Sequence, residues 1–304
     1  MVEQWCIRIL AQRGEEVRRE LIAEGTLDLS LKVRREGSEL LLPVTEQRGN
    51  AERCDFEPLP ERLVLPRHEL VGGIAIMQDC DPEGAERILA SRPSLHSVLC
   101  AASEVSGRFR TREFRVLAGI PTTRTEVIEY GHRFTVDLSA AYFSARLSSE
   151  RQRILEQMGD HETVLDMFAG VGPFAITLAE RAALVVASDI NPQAITLMLA
   201  NLAQNRTKNV LPVLADAHHL PEIIPWQFDR IVMNLPLSGS TFLSDGFRLC
   251  KPGGTLNFYS LVSKENEHSD RIHELGGEII DERVVRSYSP GQWHTVYDVR
   301  AGKE

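Results

Sequence analysis

The C-terminal half of the chain alternates short apolar runs with longer amphipathic stretches. From Thr163 onward, each apolar run is followed by a segment whose apolar positions recur at helical spacing. Two of these segments begin at Pro173 and Pro192, and proline is favoured in the first turn of a helix. This alternation predicts an α/β domain with a parallel, doubly wound sheet. The predicted strands are TVLDMF, LVVASDI, VLPVLADA, DRIVMNL and LNFYSLV, with EIIDERVVRSYSP and QWHTVYDVRA closing the sheet edge.

The N-terminal half mixes helices and strands without regular alternation. Apolar positions in Gly14–Glu24 fall at helical spacing, whereas LDLSLKV and ELLLPV alternate as strands do. After the linker LPERLVLP, we predict a strand over Val71–Met77, a helix over Pro82–Ser91 with Asp81 as N-cap, and further strands in VIEYGHRFTVDLSAAYFS. The predicted organisation is two small α+β domains, residues 1–60 and 61–140, followed by the α/β domain, residues 141–304.

Composition limits the class of protein. A chain of 304 residues with 43% hydrophobic residues can bury several cores, which favours a multi-domain globular protein. No apolar run reaches the roughly 18 residues of a membrane span, and we expect a cytoplasmic protein without a membrane partner. The five scattered cysteines form no CxxC pair, which predicts buried free thiols rather than disulfides or a metal site. Because the formal charge is −9, any surface for nucleic acid must be a local basic patch.

The segment VLDMFAGVGPF predicts a tight turn between a strand and a helix that binds a ligand. Gly170 and Gly172 would let backbone N–H groups approach the ligand, and a helix N-terminus favours a carboxylate. The segment departs from the GxGxxG pattern for pyrophosphate, because Ala175 stands at its third position. Asp166 would repel a pyrophosphate but suits an amino group.

Two further acids end the next strands. Asp189 is placed to accept hydrogen bonds from ribose hydroxyls, and Asp216 lies where an adenine amino group would lie. Together with the glycine turn, these acids favour S-adenosylmethionine over NAD. The alternative is a plain turn with solvated aspartates. The predicted cofactor-binding residues in this region are Asp166, Phe168, Gly170, Val171, Gly172, Asp189, Ile190, Asp216 and Ala217.

A family resemblance makes the prediction specific. The motifs DMFAGVGPFAI, SDINPQAI and NLP at Asn234–Pro236 resemble the archaeal and eukaryotic type of tRNA (guanine-37 N1)-methyltransferase. REFRVLAG, EYGHRFTVDLSAAYFSARLSSERQRI and KVRREGSELLLPV also look like that family, so the resemblance covers nearly the whole chain. It implies a Rossmann-like methyltransferase domain, S-adenosylmethionine as cofactor and tRNA as partner. NLPL lacks the aromatic residue of NPPY-like motifs, so methylation of an exocyclic amine fits less well.

The reaction needs a base and a cation. Methylating N1 of guanine removes a ring proton and shifts negative charge toward O6. By the family pattern, Glu150 corresponds to the general base and Arg110 to the group that faces O6. The same resemblance places Asn234 at the base edge and at the cofactor, Tyr142 in the pocket wall and Arg151 near the cofactor.

Simpler interpretations exist for several of these residues. Ser149 and Gln152 fit a capping box, so Glu150 could be an ordinary acid in the first turn of a helix. His218 and His219 follow the third strand and are interpreted as residues of a surface loop, because no partner spacing indicates a metal.

Three alternating arginines, Arg108, Arg110 and Arg112, would project from one face of a strand. A solvated edge strand is the alternative, but like charges on one face repel unless phosphates or carboxylates meet them. A guanine in a tRNA loop must also be flipped out to reach a methyl donor, while the N-terminal domain would recognise tRNA shape. The predicted RNA-binding residues are Arg108, Arg112, Arg146, Arg153, Lys32, Arg34 and Arg35.

Other activities remain open from the sequence. A wyosine-pathway aminocarboxypropyltransferase would use the same cofactor and a similar fold, and an enzyme acting on a wyosine intermediate is a close variant. A non-catalytic RNA-binding protein on a methyltransferase scaffold belongs to a different class. The motifs NLP and MFAGVGPF favour methyl transfer, and we expect a monomer because no long apolar stripe is left unassigned.

Overall fold

The chain divides into two compact units, Met1–Val64 and Leu65–Glu304. The computed structural model describes residues 1–59, 64–103, 107–109 and 111–302. None of the helices within these ranges is long and apolar enough to cross a membrane. The three-domain division at residues 60 and 140 stays a prediction.

The first unit is an antiparallel sheet of four strands with one helix. Its elements are β1 (Val2–Leu10), α1 (Gly14–Ala23), β2 (Arg34–Glu36), β3 (Glu39–Val44) and β4 (Glu52–Phe56), and the strand order is β2-β3-β1-β4. The predicted helix and the strand in ELLLPV are confirmed. The strand predicted in LDLSLKV is wrong: only Leu27 and Leu31 form isolated bridges. The side chain of Asp28 accepts a hydrogen bond from the Ser30 N–H, which turns the backbone out of a strand.

The first part of the second unit consists of β5 (His68–Val71), β6 (Ile74–Met77), α2 (Pro82–Ser91), β7 (Ser97–Ala101) and β8 (Phe114–Gly119). Its sheet has the order β5-β6-β7-β8, and α2 begins after Asp81, whose side chain accepts from the Glu83 N–H as predicted. The single strand predicted over Val71–Met77 is wrong, because a turn at Gly72 divides it. Gly72 has φ +54°, and a Cβ there would lie 2.1 Å from the carbonyl oxygen of Glu126.

The prediction of a strand that carries the alternating arginines is also wrong, as far as the described residues show. Gly107–Phe109 form a turn, and β8 begins only at Phe114. Arg108 pairs with Asp216, whereas the Arg112 guanidinium lies 5.4 Å from the centre of the Phe114 ring. Arg110 lies outside the described residues, so its predicted contact with O6 stays a prediction.

The cysteines differ from the prediction of buried free thiols. Cys80 and Cys100 form a disulfide, with Cα atoms 5.3 Å apart, because β6 and β7 are paired and bring their ends together. Cys6 and Cys250 are free and buried as predicted. Cys54 is free but only half-buried, and its Sγ lies 2.9 Å from that of Cys6.

A seven-stranded sheet and a two-stranded sheet form the rest of the second unit, and the larger one confirms the predicted doubly wound α/β domain. The remaining elements are β9 (Arg124–Glu129), β10 (His132–Asp137), α3 (Ser148–Gln157), β11 (Thr163–Asp166), α4 (Pro173–Leu178), β12 (Leu184–Asp189), α5 (Pro192–Gln204), β13 (Val210–Leu214), α6 (Leu220–Ile223), β14 (Phe228–Asn234), α7 (Leu243–Leu249), β15 (Cys250–Val262), α8 (Ser269–Glu274), β16 (Gly277–Ser289) and β17 (Gln292–Ala301). β9 and β10 pair antiparallel in the smaller sheet. The larger sheet has the order β13-β12-β11-β14-β15-β17-β16, with β11 to β15 parallel and β17 antiparallel to both of its neighbours.

Apolar residues on both faces of this sheet explain its layers. Val164 and Val232 belong to a core cluster on one face, while Leu165 and Ile231 belong to a cluster on the other. Strands buried on both faces read as continuous apolar runs, which is why the sequence pattern is so clear here. The strand order reverses between β11 and β14, and the carboxyl ends of the strands on either side of such a switch point enclose a crevice.

Candidate cofactor and base site

A cavity of about 490 Å³ opens at this switch point. The loops that follow β11, β12, β13 and β14 form its wall, through Gly170, Asp189, Asp216 and Asn234. Gly107–Phe109 also line it. A cavity of this size in an α/β sheet is typical of a site for a small organic ligand.

The glycine turn owes its shape to a hydrogen bond from its own backbone. Gly170 and Gly172 have φ of +56° and +88°, and a Cβ at Gly172 would lie 2.8 Å from Cγ of Met198. The Gly170 N–H donates to Oδ2 of Asp189 over 2.7 Å. Gly170 lines the cavity, whereas Val171 and Gly172 do not. Gly172 therefore shapes the turn but does not form part of the cavity wall.

Asp189 and Asp216 both line the cavity but differ in environment. Burial raises the pKa of Asp189, although the backbone N–H groups of Asn191 and Gly170 oppose this shift. Burial would also raise the pKa of Asp216, but hydrogen bonds from the His218 N–H and from Arg108 outweigh it, and the pKa is lowered. Asp216 is thus held as a carboxylate by the His218 N–H and by Arg108.

Asp166 lies at the end of β11 and does not line the cavity. Its side chain is fully buried, with the backbone N–H groups of Phe168 and Ala175 close to the carboxylate but without full hydrogen-bond geometry. Burial raises the pKa of Asp166 to about 7. The predicted direct contact of Asp166 with an amino group therefore stays a prediction.

Asp166→Asn is expected to stabilise the ligand-free protein at high pH. The unfolded chain releases this proton near the ordinary value of 3.8, whereas the folded chain holds it to about 7. Asp166 therefore costs stability increasingly as pH rises from about 4 to about 7, by about 1.4 kcal/mol for each pKa unit. Asparagine has the same shape without the charge. Thermal denaturation should show a larger gain in Tm at pH 8 than at pH 5.

Asp160→Asn serves as the control, because Asp160 is exposed. This control substitution should leave the Tm nearly unchanged at both pH 5 and pH 8. A gain for Asp166→Asn that is equal at pH 5 and pH 8 would contradict the assignment of the buried charge.

Arg151, on α3, lines the cavity and forms a buried ion pair. Its Nε and Nη2 donate to the two carboxylate oxygens of Glu129 on β9 over 2.9 and 2.7 Å. Both side chains are less than a tenth exposed, and burial lowers the pKa of Arg151 while it raises that of Glu129. The Phe143 and Phe174 rings lie 5.8 and 5.6 Å from the guanidinium. Arg151 is therefore a rigid cation at the cavity wall.

Glu150, the predicted base, is buried but does not line the cavity. Its carboxylate accepts hydrogen bonds from the Tyr259 hydroxyl over 3.2 Å and from Arg153 Nε over 3.1 Å, and it also pairs with Arg283. It lies in the first turn of α3, as predicted. The capping-box prediction is wrong, because the helix begins at Ser148 with Leu147 as N-cap and no side-chain cap.

The cavity brings together many of the predicted residues. Those that line it are Arg108, Tyr142, Arg151, Phe168, Gly170, Asp189, Ile190, Asp216, Ala217 and Asn234. The Oδ1 atom of Asn234 is buried without a partner in the described part of the chain, so a polar ligand group can bind there.

Sequence reasoning missed several residues of the cavity. His218, interpreted above as a surface-loop residue, lines it and stacks on Phe242, with ring centres 4.0 Å apart. The sequence could have indicated this, because His218 stands only two residues after Asp216, which was itself predicted to bind the cofactor. Arg286 and His294, on β16 and β17, also line the cavity. No local motif marks them, because they reach the site only through the pairing of the last strands.

The predicted RNA-binding residues carry internal partners. Arg146 pairs with Glu69 over 3.0 Å, and Arg153 with Asp298. In the first unit, Lys32 pairs with Glu57 and Arg34 with Glu36, whereas Arg35 donates to the Gly37 carbonyl. Exposed pairs of this kind are weak and exchange readily for phosphate. Arg153 differs, because its side chain is only 19% exposed.

Comparison with known proteins identifies relatives along the whole chain. Residues 125–284 match the family model of the TRM5/TYW2 methyltransferase domain, and residues 6–52 match that of the tRNA methyltransferase 5 N-terminal domain. The tRNA (guanine(37)-N(1))-methyltransferase Trm5b of Pyrococcus abyssi is 34% identical over 97% of this chain and 98% of its own. Its crystal structure matches with a TM-score of 0.79 and 33% identity, covering 98% of this chain and 99% of that chain.

Two further structures and one further relative widen the comparison. The complex of aTrm5 and tRNALeu matches with a TM-score of 0.73 and 28% identity, over 98% of this chain and all of that chain. TYW2 of M. jannaschii in complex with AdoMet matches with a TM-score of 0.60 and 25% identity, covering 78% of this chain and 100% of that chain. A tRNA(Phe) (4-demethylwyosine(37)-C(7)) aminocarboxypropyltransferase of Methanocaldococcus jannaschii is 29% identical over 77% of this chain and 97% of its own.

Proposed function

Since the chain belongs to the TRM5/TYW2 methyltransferase family, we propose that it transfers the methyl group of S-adenosylmethionine to N1 of guanosine 37 of tRNA. The observation that carries the proposal is the match to a tRNA (guanine(37)-N(1))-methyltransferase over 97% of the chain, joined to a cavity at the switch point of the sheet. The solved complex of a relative with tRNALeu supports tRNA as the substrate.

The cavity residues fit an adenosyl cofactor. Asp189 ends the second strand of the domain at the cavity wall, where its carboxylate suits ribose hydroxyls. Ile190 and Ala217 supply apolar wall next to the two strand-terminal acids, and His218 stacked on Phe242 offers a flat aromatic surface. Gly170 allows close approach of backbone. The cofactor supplies an electrophilic methyl group on a sulfonium.

The chain's own residues would hold the guanine and accept its proton. We assign Asn234 to the base edge, because it lines the cavity and its Oδ1, an acceptor for N–H groups, has no partner among the described residues. Tyr142, 45% exposed, would pack against the flipped base. Glu150 is proposed as the acceptor of the N1 proton, and Arg151 as the cation nearest the cofactor. Arg110 stays the proposed group that faces O6.

Incubation with labelled S-adenosylmethionine and either unmodified tRNA or tRNA that carries 4-demethylwyosine at position 37, followed by mass spectrometry of the nucleosides, tests the proposed function. Label at N1 of guanosine supports it. An aminocarboxypropyl adduct would instead select the second candidate, which the M. jannaschii aminocarboxypropyltransferase relative favours. Label on a wyosine intermediate would extend the activity. Absence of every product would leave an RNA-binding role.

Deleting residues 1–60 is expected to weaken discrimination among RNAs while leaving cofactor binding intact. The first unit has its own core, and the cavity is built entirely from residues of the second unit. We expect full-length protein to prefer whole tRNA over an isolated anticodon stem-loop by about tenfold or more, because a second contact raises effective concentration. The deletion variant should treat both RNAs alike. Loss of cofactor affinity on calorimetry would count against this division of roles.

The proposal also includes a monomeric enzyme that acts on tRNA in the cytoplasm, without a metal or a membrane. The full-length match to relatives named as tRNA methyltransferases supports the tRNA substrate, whereas the other parts of this proposal rest on the sequence pattern.

A further inference from the structure

Three residues that line the cavity carry buried polar atoms without a partner among the described residues. These atoms are Oδ1 of Asn234, Nε of Arg286 and both ring nitrogens of His294. Buried polar atoms are nearly always hydrogen-bonded, so a group of unpartnered ones in a cavity indicates a polar ligand. Asn234 is already assigned above, whereas nothing in the sequence pattern marks His294.

The strand register places these residues on one face of the sheet, on neighbouring and next-neighbouring strands. Asn234 on β14 is the direct partner of Tyr259 on β15, and Leu261, two residues further along β15, is the partner of His294 on β17. Residues two apart on a strand share a face, so Asn234 and His294 lie on the same face of the sheet. Arg286 on β16 is the direct partner of His294 on the other side.

His294 is well defined in this position. It is 2% exposed, and its ring centre lies 5.6 Å from that of Tyr259, whose hydroxyl donates to Glu150. Burial lowers the pKa of His294 to about 4, with Arg286 adding to the shift and Glu150 opposing it. The imidazole is therefore neutral at pH 7, with one N–H donor and one acceptor nitrogen.

A flipped guanine has five polar groups on its edges: N1, O6, the exocyclic amine, N3 and N7. N1 gives its proton to a base, and O6 gains negative charge that a guanidinium stabilises best. The other three remain, and N3 lies next to N9 on the side of the attached sugar. A neutral imidazole fits the exocyclic amine or N7, because its acceptor nitrogen can receive the amine N–H and its N–H can donate to N7.

We propose that His294 is a purine-binding residue that hydrogen-bonds the exocyclic amine or N7 of the guanine in this cavity. The inference rests on the proposed function. It adds the last strand of the sheet to the substrate site, so that guanine is read from β17 as well as from the end of β14.

The test compares His294→Phe and His294→Asn with wild type in single-turnover methylation. Three tRNA transcripts are used, carrying guanosine, inosine or 7-deazaguanosine at position 37; inosine lacks the amine and 7-deazaguanosine lacks N7. His294→Phe keeps a ring of similar size without nitrogen atoms and should slow guanosine methylation about tenfold or more, as loss of a buried hydrogen bond predicts. His294→Asn should recover part of the rate.

The analogues identify the contact. On the analogue that lacks the contacted group, wild type should slow and His294→Phe should cost less than about threefold, because the bond is already absent. Equal loss on all three RNAs, or no loss on guanosine, would overturn the proposal. His273→Phe, at an exposed position of α8, is the matched control and should leave the rate unchanged.

Calorimetry with S-adenosylhomocysteine and the Tm of each variant separate this role from a structural one. The cofactor Kd of His294→Phe should stay within about twofold of wild type, and a larger loss would place the residue at the cofactor instead. Failure of the proposed function is a distinct outcome, because wild type itself would then form no N1-methylguanosine.

Discussion

Glu150→Gln is expected to slow methyl transfer by about 10²- to 10⁴-fold, the range typical of loss of a general base. Glutamine keeps the size of the side chain and can still accept from the Tyr259 hydroxyl, but it cannot take up a proton. Single-turnover rates at saturating cofactor and tRNA measure the effect. The cofactor Kd should change little, because Glu150 does not line the cavity.

The control is Glu156→Gln, an exposed residue of the same helix. Full activity of Glu150→Gln would remove Glu150 from the base role and leave it as a counter-ion for Arg153 and Arg283. This outcome is informative in itself, because those two guanidiniums hold the carboxylate in the described structure.

Glu129→Leu is expected to destabilise the protein by about 3–5 kcal/mol, because it leaves the guanidinium of Arg151 buried without a counter-ion. Arg151 is 2% exposed and has two hydrogen-bonding nitrogens committed to Glu129. Chemical denaturation in the absence of ligand measures the free energy of unfolding. The cofactor Kd should rise as well, since the pair fixes Arg151 at the cavity wall.

Glu126→Leu is the matched control on the same strand. Its exposed pair with Arg133 should contribute about 1 kcal/mol or less. The double variant Glu129→Leu with Arg151→Met removes both charges and should regain most of the lost stability while cofactor binding stays weak. If Glu129→Leu cost no more than Glu126→Leu, the buried pair would not carry the stability assigned to it.

The sequence predicted features that depend on neighbouring residues better than features that depend on residues far apart in the chain. Asp81 and Pro82 predicted the start of α2 correctly, because an N-cap and a first-turn proline act within a few residues. The single strand over Val71–Met77 was wrong because the turn at Gly72 is pressed against Glu126, more than fifty residues away. The disulfide between Cys80 and Cys100 likewise depends on the pairing of β6 with β7.

The same contrast between local and distant contacts holds for the residues of the site. Asp189 and Asp216 were found from the sequence because the ends of parallel strands meet at one edge of a sheet, so their position along the chain predicts their position in space. His294 and Glu129 carry no such signal. Glu129 acts through Arg151, which is distant in the chain, and His294 reaches the cavity only because β17 pairs with β15.

The sequence by itself determined the α/β class of the C-terminal half, the glycine turn and the family resemblance, because these depend on periodicity and on short motifs that act locally. Only the tertiary structure decided which charged groups are buried together and which polar atoms are left without partners in the cavity. Burial and cross-strand register depend on contacts between residues far apart in the chain. These contacts decide that Asp166 lies outside the cavity wall and that His294 lies within it.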